Sequence, residues 1–548
     1  MRQLKENKDG TFRVKAYAGT NGVLVAMDLD EAKKPGLLGF AIEQKEGDKD
    51  WRFLLNSLTF PGKTHTLTKW NATPSNIAPI QKFRWADYSI EPNITCKYRV
   101  YPAYGTPDNV RLEDPLEVAV TTNDGMPSDH HVAFNRAVAA SQSFERKFPE
   151  MVSLLEANSG LPIEKWPDAP RRWLEHGLLD RILDFMKRAT DSTWALDMAI
   201  YEYELAAIVE GVDAAHDRGV NVRVLYHAKN NDEQTHENEK SLVKIPDVAK
   251  RARVTSKIFH NKFIVLSKID GAGVRTPQAV LCGSTNFTEN GVYRQANVVH
   301  ETDNKALAAS YLATFENIWA SPANVGSTRK WLSANNLMAP AENFFAGFSP
   351  RTGEGDLDEF VNIIKAADKD VLFATAFNLP ERILDALLGA DHDSVLRFGI
   401  QNTASRITGF HADRTADFAA PALIDSGLEG WVKEGLKGQR GRLLVHLKAI
   451  VANFTTDNPV ILSGSHNLSV PASSGNDENY LIIRGDTDLA DRYGIEILRF
   501  YEHYRFRYYA KKLKLTKVDP LKDSDRWADD AYQDGHLKQL SRVRFAGR

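Results

Sequence analysis

The sequence is poor in cysteine, in long apolar runs and in charge of one sign. Only Cys96 and Cys282 occur in 548 residues, which excludes a disulfide framework and fits a reducing compartment. No stretch approaches the ~18 apolar residues of a membrane span, and no signal-peptide core is visible at the start. A formal net charge of −3 gives no global attraction to nucleic acid or to an acidic membrane. We therefore expect a cytoplasmic globular protein without a transmembrane segment, built from about two to four domains.

Residues 1–125 have the pattern of antiparallel β-structure. Alternating segments such as "FRVKAYAG" and "CKYRVYPAYG" are separated by Gly, Pro, Asn and Asp, which is typical of a small β-sandwich. The order of these segments resembles a fibronectin type III domain. The resemblance implies a module that binds a protein partner or acts as a spacer, and it implies no catalytic role.

After a helical linker at 126–175, strands and helices alternate, which favours an α/β architecture. The helix–strand–helix–strand series from "RILDFMKRA" to "VNVRVLYH" recurs from "DEFVNIIKAA" to "SVLRFGIQ", and this recurrence indicates an internal duplication. We predict half 1 at 176–325, a linker at 326–352, half 2 at 353–510 and a basic C-terminal tail at 511–548.

The pattern H-x-K is weak evidence alone, because this chain contains four copies. They begin at His227, His260, His446 and His536. Only the pairs His260/Lys262 and His446/Lys448 are followed, about 20 residues later, by G-S-x-N at the end of an apolar strand. In "KIFHNKFIVL" a period of two places His260 and Lys262 on the same strand face. A series that recurs as a whole indicates a site assembled from both halves.

Further polar residues repeat with the two selected motifs. The G-S-x-N segments contribute Ser284, Asn286, Ser465 and Asn467. An asparagine-bearing strand follows in each half, with Asn297 in half 1 and Asn479, preceded by Glu478, in half 2. Tyr311 and Tyr493 lie at equal distances beyond these asparagines.

Two histidines, two lysines and two asparagines suit a phosphodiester. Lysines and amides donate hydrogen bonds to phosphate oxygens and stabilise the charge that grows in the transition state. One imidazole can attack phosphorus to give a phosphohistidine while the other transfers the proton. No residues at metal-ligand spacing accompany the pair, so we expect no catalytic metal and no cofactor. The competing interpretation is two unrelated core histidines.

These motifs are similar to those of the phospholipase D superfamily, over roughly residues 170 to 510. The resemblance implies two phospholipase D-like α/β/α halves that form one catalytic unit, here preceded by the small all-β sandwich. It implies His260 as nucleophile and His446 as acid/base, although the residues themselves do not fix that order. It also implies phosphate-binding and supporting roles for Lys262, Lys448, Asn286, Asn467, Ser284, Ser465, Glu478, Asn297 and Asn479.

The departures from the family pattern bear on the substrate. Ser267 and Asn453 stand where the fuller H-x-K-x(4)-D pattern has aspartate, as in the tyrosyl-DNA phosphodiesterases, which also lack it. This, together with the basic and aromatic stretch 503–517, slightly favours nucleic acid over phospholipid as the phosphodiester substrate. A phospholipase D or phosphatidyl transferase stays open, as does a non-catalytic phosphate-binding or scaffold protein.

Overall fold

The structure is a computed structural model of the chain. It describes residues 1–68, 71–123, 125, 128–137, 142–158, 161–254, 257–338, 342–424, 428–429 and 445–548. Parts of the predicted segments 126–175, 326–352 and 353–510 therefore lie outside the described residues. Within the described part of the chain, no helix is long and apolar enough to cross a membrane.

The N-terminal region is an antiparallel β-sandwich, as predicted. Its strands are β1 Arg2–Glu6, β2 Phe12–Ala18, β3 Val23–Leu29, β4 Leu37–Glu46, β5 Arg52–Phe53, β6 Leu55–Asn56, β7 Thr73–Pro74, β8 Arg84–Asp87, β9 Thr95–Thr106, β10 Asn109–Leu112 and β11 Leu116–Thr121. One sheet has the order β1-β2-β3-β8, and the other has the order β10-β9-β4-β5 with β11 also on β9. In β2, Phe12, Val14 and Ala16 are buried while the alternate residues are half-exposed, as a strand with one core face requires.

Residues 130–335, which include half 1, contain seven strands and eight α-helices within the described residues. They are β12 His130–Phe134, α1 Gln142–Lys147, α2 Pro149–Ala157, α3 Asp168–Glu175, α4 Leu178–Lys187, β13 Trp194–Ile200, α5 Ala206–Asp217, β14 Asn221–Ala228, α6 Glu233–Leu242, β15 Ala249–Val254, β16 Lys262–Ile269, β17 Arg275–Gly283, β18 Val298–Thr302, α7 Lys305–Ala320 and α8 Val325–Asn335.

Half 2 and the C-terminal region follow. Their elements are β19 Phe344–Ser349, α9 Gly355–Lys365, β20 Asp370–Thr375, α10 Glu381–Leu388, β21 Leu396–Gln401, β22 Gly409–His411, β23 Ala416–Ala419, β24 Ala449–Ala452, β25 Val460–Gly464, α11 Val470–Ser474, β26 Glu478–Arg484, α12 Thr487–Lys512 and α13 Leu537–Phe545.

The two halves repeat one sheet topology. The described strands of half 1 are ordered β12-β18-β17-β16-β13-β14-β15, and those of half 2 are ordered β19-β26-β25-β24-β20-β21-β23, with β22 added at the edge. In both sheets the central strand, β13 or β20, is parallel to one neighbour and antiparallel to the other. The mixed α/β fold is therefore the one that the sequence predicted, and the shared strand order supports an internal duplication.

Two segments that the sequence suggested as linkers supply edge strands. β12, within 126–175, pairs antiparallel with β18, and β19, within 326–352, pairs antiparallel with β26. The sequence did not predict these two strands, because a short strand such as "HHVAF" carries no clear alternation, and its neighbour across the sheet completes its hydrogen bonds.

Residues of the predicted basic C-terminal tail, 511–548, pack against the rest of the chain. Ala528 and Ala531 are buried in the core of the sandwich, and Phe545 is buried in the large core between the two α/β sheets. The Trp527 indole donates to the Leu37 carbonyl at 2.8 Å. Apolar burial of this kind outweighs the solvation of the neighbouring basic residues.

A fully buried ion pair joins the halves. Arg253 at the end of β15 binds both carboxylate oxygens of Asp477, which precedes β26, at 2.7 and 3.1 Å. Both side chains are 0% exposed. The guanidinium also donates to Thr328 Oγ1 and to the Pro322 carbonyl, so its hydrogen-bonding capacity is largely satisfied by the protein.

We predict that Arg253→Met lowers the free energy of unfolding by about 3–5 kcal/mol, because Asp477 is left buried without its partner. Lys187→Met is the control, since it removes an exposed pair with Asp184 and should cost less than about 1 kcal/mol. Urea unfolding followed by tryptophan fluorescence measures both. Equal losses in the two variants would contradict the structural role of the Arg253–Asp477 pair.

Candidate active site

The structure brings His260 and His446 together where the halves meet. Their ring centroids are 6.4 Å apart and the ring planes are inclined by 75°. Only 4% of His260 and 3% of His446 is exposed. Two imidazoles at this separation leave room for one phosphorus atom between them.

The histidines do not lie inside plain strands, in contrast to the sequence-based expectation. β16 begins at Lys262 and β24 at Ala449, and the residues just before each strand cross to the other half. The His260 amide donates to the Asp477 carbonyl at 2.9 Å, and the His446 amide donates to the Ala296 carbonyl at 3.0 Å. Because of these two hydrogen bonds, the residue that follows Asp477 lies beside His260, and the residue that follows Ala296 lies beside His446.

Beside His260 that residue is Glu478. Its Oε2 lies 2.7 Å from His260 Nδ1 and also accepts from the Ser465 hydroxyl at 2.7 Å. Burial favours the neutral carboxyl, but the neighbouring His260 holds the pKa of Glu478 below its ordinary value. An ionised Glu478 can only accept hydrogen bonds, so His260 carries its proton on Nδ1 and its Nε2 is unprotonated.

Beside His446 the corresponding residue is Asn297. Its Oδ1 lies 2.8 Å from His446 Nδ1, while its Nδ2 donates to the carbonyls of Gly291 and Gln295. The amide is therefore fixed with oxygen toward the ring, and His446 also carries its proton on Nδ1. Nε2 of His446 accepts from Lys448 Nζ at 2.8 Å.

The late-strand residues differ by one position from the predicted alignment, in which Asn297 matched Asn479. The structural counterpart of Asn297 is Glu478, since each follows the carbonyl that binds a histidine amide. Asn479 instead donates to Asn261 at 3.0 Å and accepts from Tyr311 at 3.1 Å. The sequence alignment matched asparagine with asparagine, and it missed this correspondence because half 1 has an amide where half 2 has a carboxylate.

Lys262 and Lys448 are both 2% exposed. Each ammonium donates at 2.8 Å to the carbonyl of its own motif histidine. Burial lowers the pKa of Lys262 to about 8 and holds that of Lys448 well below its ordinary value. Within the described residues, neither ammonium has a carboxylate at salt-bridge distance, and two such buried donors favour the binding of an anion.

The repeated glycines and serines of G-S-x-N have structural roles. A Cβ on Gly283 would lie 2.3 Å from the Val298 carbonyl oxygen, and one on Gly464 would lie 2.4 Å from that of Asn479, so only glycine fits at either position. The Ser284 hydroxyl donates to Asn297 at 2.8 Å, as Ser465 does to Glu478. In this arrangement each serine hydroxyl is used to orient the residue beside a histidine, and the predicted binding of substrate by the two serines stays a prediction.

Asn286 and Asn467 differ in their surroundings. Asn286 Nδ2 donates to Glu202 Oε2 at 2.5 Å, whereas the Asn467 side chain makes no hydrogen bond within the described residues, where its Oδ1 is buried without a partner. Burial raises the pKa of Glu202 to about 7. Sequence reasoning missed Glu202; the signal was its place just after β13, whose carboxyl end faces the site.

The residues at the family aspartate positions lie away from the histidines. Ser267 is five residues along β16 from Lys262, or ~16 Å of strand, and it is fully buried at a register shift. Asn453 has a φ of 56° and caps the turn before β20 by accepting from the amides of Asp368 and Lys369. Among the described residues, no group of three or more His, Cys, Asp or Glu side chains could hold a metal ion.

Comparison with known families agrees with this geometry. Residues 182–319, which include His260, Lys262 and Asn286, match the family described as "Cardiolipin synthase, PLD-like domain". The chain contains a phospholipase D-like domain. The matched region lies within half 1, and half 2 repeats its strand order. No curated protein matches the chain.

Several solved structures are similar to parts of the chain. Phosphatidylserine synthase from Haemophilus influenzae is 12% identical, with 60% of this chain and 85% of that chain covered and a TM-score of 0.43. Polyphosphate kinase from Porphyromonas gingivalis is 13% identical, covering 56% of this chain but only 43% of its own, with a TM-score of 0.37. The phospholipase D family member Nuc from Salmonella typhimurium is 22% identical, with coverages of 26% and 86% and a TM-score of 0.22.

We predict that Glu478→Gln lowers the pKa of His260 further. Burial already reduces this pKa to about 4, and the Glu478 carboxylate opposes that reduction by favouring the imidazolium. A pH titration by NMR with ¹³C-labelled histidine, assigned with His260→Asn, measures the shift. Asp232→Asn, which affects the contact with His227, is the control; a pKa of His260 that stays constant or rises in Glu478→Gln would contradict the predicted contact.

Proposed function

We propose that the phospholipase D-like domain cleaves phosphodiesters without a metal ion, through a covalent phosphohistidine. The observation that carries this proposal is the pair of facing imidazoles, each with its Nδ1 proton held and its Nε2 directed away from that contact. Such a pair can attack phosphorus from one side and transfer a proton on the other.

In the first step the lone pair on His260 Nε2 forms a bond to phosphorus, and the bond from phosphorus to the leaving oxygen breaks. His446, protonated on Nε2 when the anionic substrate is bound, gives that proton to the leaving oxygen. Lys262 and Lys448 donate to the phosphate oxygens, which carry the growing charge. Once Lys448 turns to the phosphate, His446 Nε2 is released from the contact that it has in the free protein.

In the second step a water molecule attacks the phosphorus of the phosphohistidine. His446 Nε2 takes a proton from this water, and the N–P bond breaks with its electron pair returning to His260. The phosphate product leaves as the monoester, and both histidines regain their starting protonation. An alcohol in place of water gives transfer instead of hydrolysis by the same steps.

The charge behind each ring supports His260 as the nucleophile. The Glu478 carboxylate stabilises the positive charge that His260 acquires on bonding to phosphorus, whereas the neutral amide of Asn297 gives His446 no such stabilisation. A histidine oriented by an amide releases its proton more readily, which suits the general acid.

The substrate class stays a proposal, with nucleic acid slightly ahead of phospholipid because the family aspartates are absent. The basic and aromatic stretch 503–517 gives this preference little support, since Tyr504 is 1% exposed and Arg505 is paired with Asp417 at 2.7 Å. A stacking platform needs exposed rings. A non-catalytic role that only binds phosphate would leave the ordered tautomers of both histidines without a purpose.

We expect the protein to release nitrophenol from bis-(p-nitrophenyl) phosphate in the presence of EDTA. Rapid quenching in alkaline denaturant, in which a phosphohistidine is stable, should trap a phosphoenzyme that is absent in His260→Asn and persists in His446→Asn, since only His260 bonds to phosphorus. His536→Asn, in an H-x-K copy outside the site, is the matched control and should keep full activity. Loss of turnover in EDTA would contradict the metal-free mechanism, and a phosphoenzyme that persists in His260→Asn would contradict the assignment of the nucleophile.

A further inference from the structure

The phosphate site contains an acidic side chain that the two-histidine mechanism does not use. Glu202 follows β13 and binds Asn286 Nδ2 through its Oε2 at 2.5 Å. The backbone supports this contact, because the Phe287 amide donates to the Glu202 carbonyl at 3.1 Å. A carboxylate beside a site for a phosphodiester anion is electrostatically unfavourable and requires an explanation.

The Asn286 amide has the opposite orientation to the one that phosphate needs. Its donor, Nδ2, is occupied by Glu202, while its Oδ1 is buried without a hydrogen-bond partner among the described residues. Asn286 is only 6% exposed. A buried carbonyl oxygen without a donor is costly, and beside phosphate oxygens it would add repulsion.

Half 2 has no equivalent of Glu202. Ile200 pairs with Lys262, and continuing the pairing of Ala374 with Ala449 places Thr375 opposite Lys448. The residue two positions further is Glu202 in half 1 and Phe377 in half 2. Asn467 therefore has no carboxylate in the corresponding place, and its side chain makes no hydrogen bond within the described residues.

We propose that Glu202 is a positioning residue that sets the orientation of the Asn286 amide. As a carboxylate it accepts from Nδ2 and turns that donor away from the substrate. As a carboxylic acid it donates its proton to Oδ1, and Nδ2 then faces the phosphate. This inference rests on the proposed phosphate site, and it makes anion binding depend on one proton at Glu202.

The charges around Glu202 place this change near neutral pH. Burial disfavours the carboxylate and raises the pKa of Glu202 to about 7, with Lys262 and Lys448 opposing the rise and Glu204 adding to it. Below this pKa the protonated form presents the Asn286 donor, and above it the donor is withdrawn. Lys262 also loses charge as the pH passes about 8, so the test must separate the two groups.

The test is calorimetric binding of sulfate to the full chain at pH 6 and pH 8.5, because sulfate keeps its charge over that range. Glu202→Gln supplies a neutral amide that can donate to Asn286 Oδ1 at either pH. At pH 8.5 it should bind sulfate about tenfold more tightly than the unsubstituted protein, and at pH 6 the two should agree within about twofold. Glu204→Gln, which removes a nearby exposed carboxylate, should change the affinity less than about threefold at either pH.

A double-mutant cycle separates amide orientation from simple charge repulsion. In an Asn286→Ala background, Glu202→Gln should raise the affinity at pH 8.5 by less than about threefold, because no amide is left to turn. An equal gain with and without Asn286 would overturn the proposal, as would equal affinities of the unsubstituted protein and Glu202→Gln at pH 8.5. Absence of sulfate binding in every variant at pH 6 would also overturn it.

Sulfate binding requires no turnover, so this result is independent of the phosphohistidine. A protein that binds sulfate in the expected pattern but forms no phosphoenzyme would contradict the proposed function alone. A protein that forms the phosphoenzyme but shows no coupling between Glu202 and Asn286 would contradict only the role of Glu202.

Discussion

The reciprocal hydrogen bonding between the halves is the constraint on which the site depends. The His260 amide binds the Asp477 carbonyl of half 2, and the His446 amide binds the Ala296 carbonyl of half 1. Because of this exchange, neither half can form a complete site alone. The histidine of each half is oriented by the next residue of the other, and the buried pair of Arg253 with Asp477 fixes one of the two crossing points.

The duplicated fold carries unequal chemistry. Glu478 and Asn297 occupy the same place in the two halves, yet one is a carboxylate and the other an amide. Glu202 and Phe377 likewise correspond, with a carboxylate beside Asn286 in half 1 and an aromatic ring near Lys448 in half 2. The repeated backbone brings the two histidines to one site, and their proposed division into nucleophile and acid rests on the difference between their neighbours.

Much of this arrangement could be predicted from the sequence, because it rests on local patterns. Three patterns are visible within short stretches of the sequence: the alternation in β2, the repeated order of helix and strand, and the combination of H-x-K with G-S-x-N. The glycines of that combination are required where Val298 and Asn479 pass closely. The pairs His260/Lys262 and His446/Lys448 could therefore be identified from the sequence alone.

The remaining features depend on contacts that are distant in sequence. The strands β12 and β19 and the pairing of Asn297 with His446 arise from partners more than 100 residues away. The burial of Phe545 likewise depends on residues of both halves. Glu202 was missed because nothing in the neighbouring sequence distinguishes it except its position just after a strand. A crystal structure with bound vanadate would show whether one phosphorus atom can lie between the two Nε2 atoms. We predict vanadium bonded to His260 Nε2, with His446 Nε2 on the opposite side and Glu478 still on His260 Nδ1. Vanadate bound away from this pair would contradict the proposed mechanism.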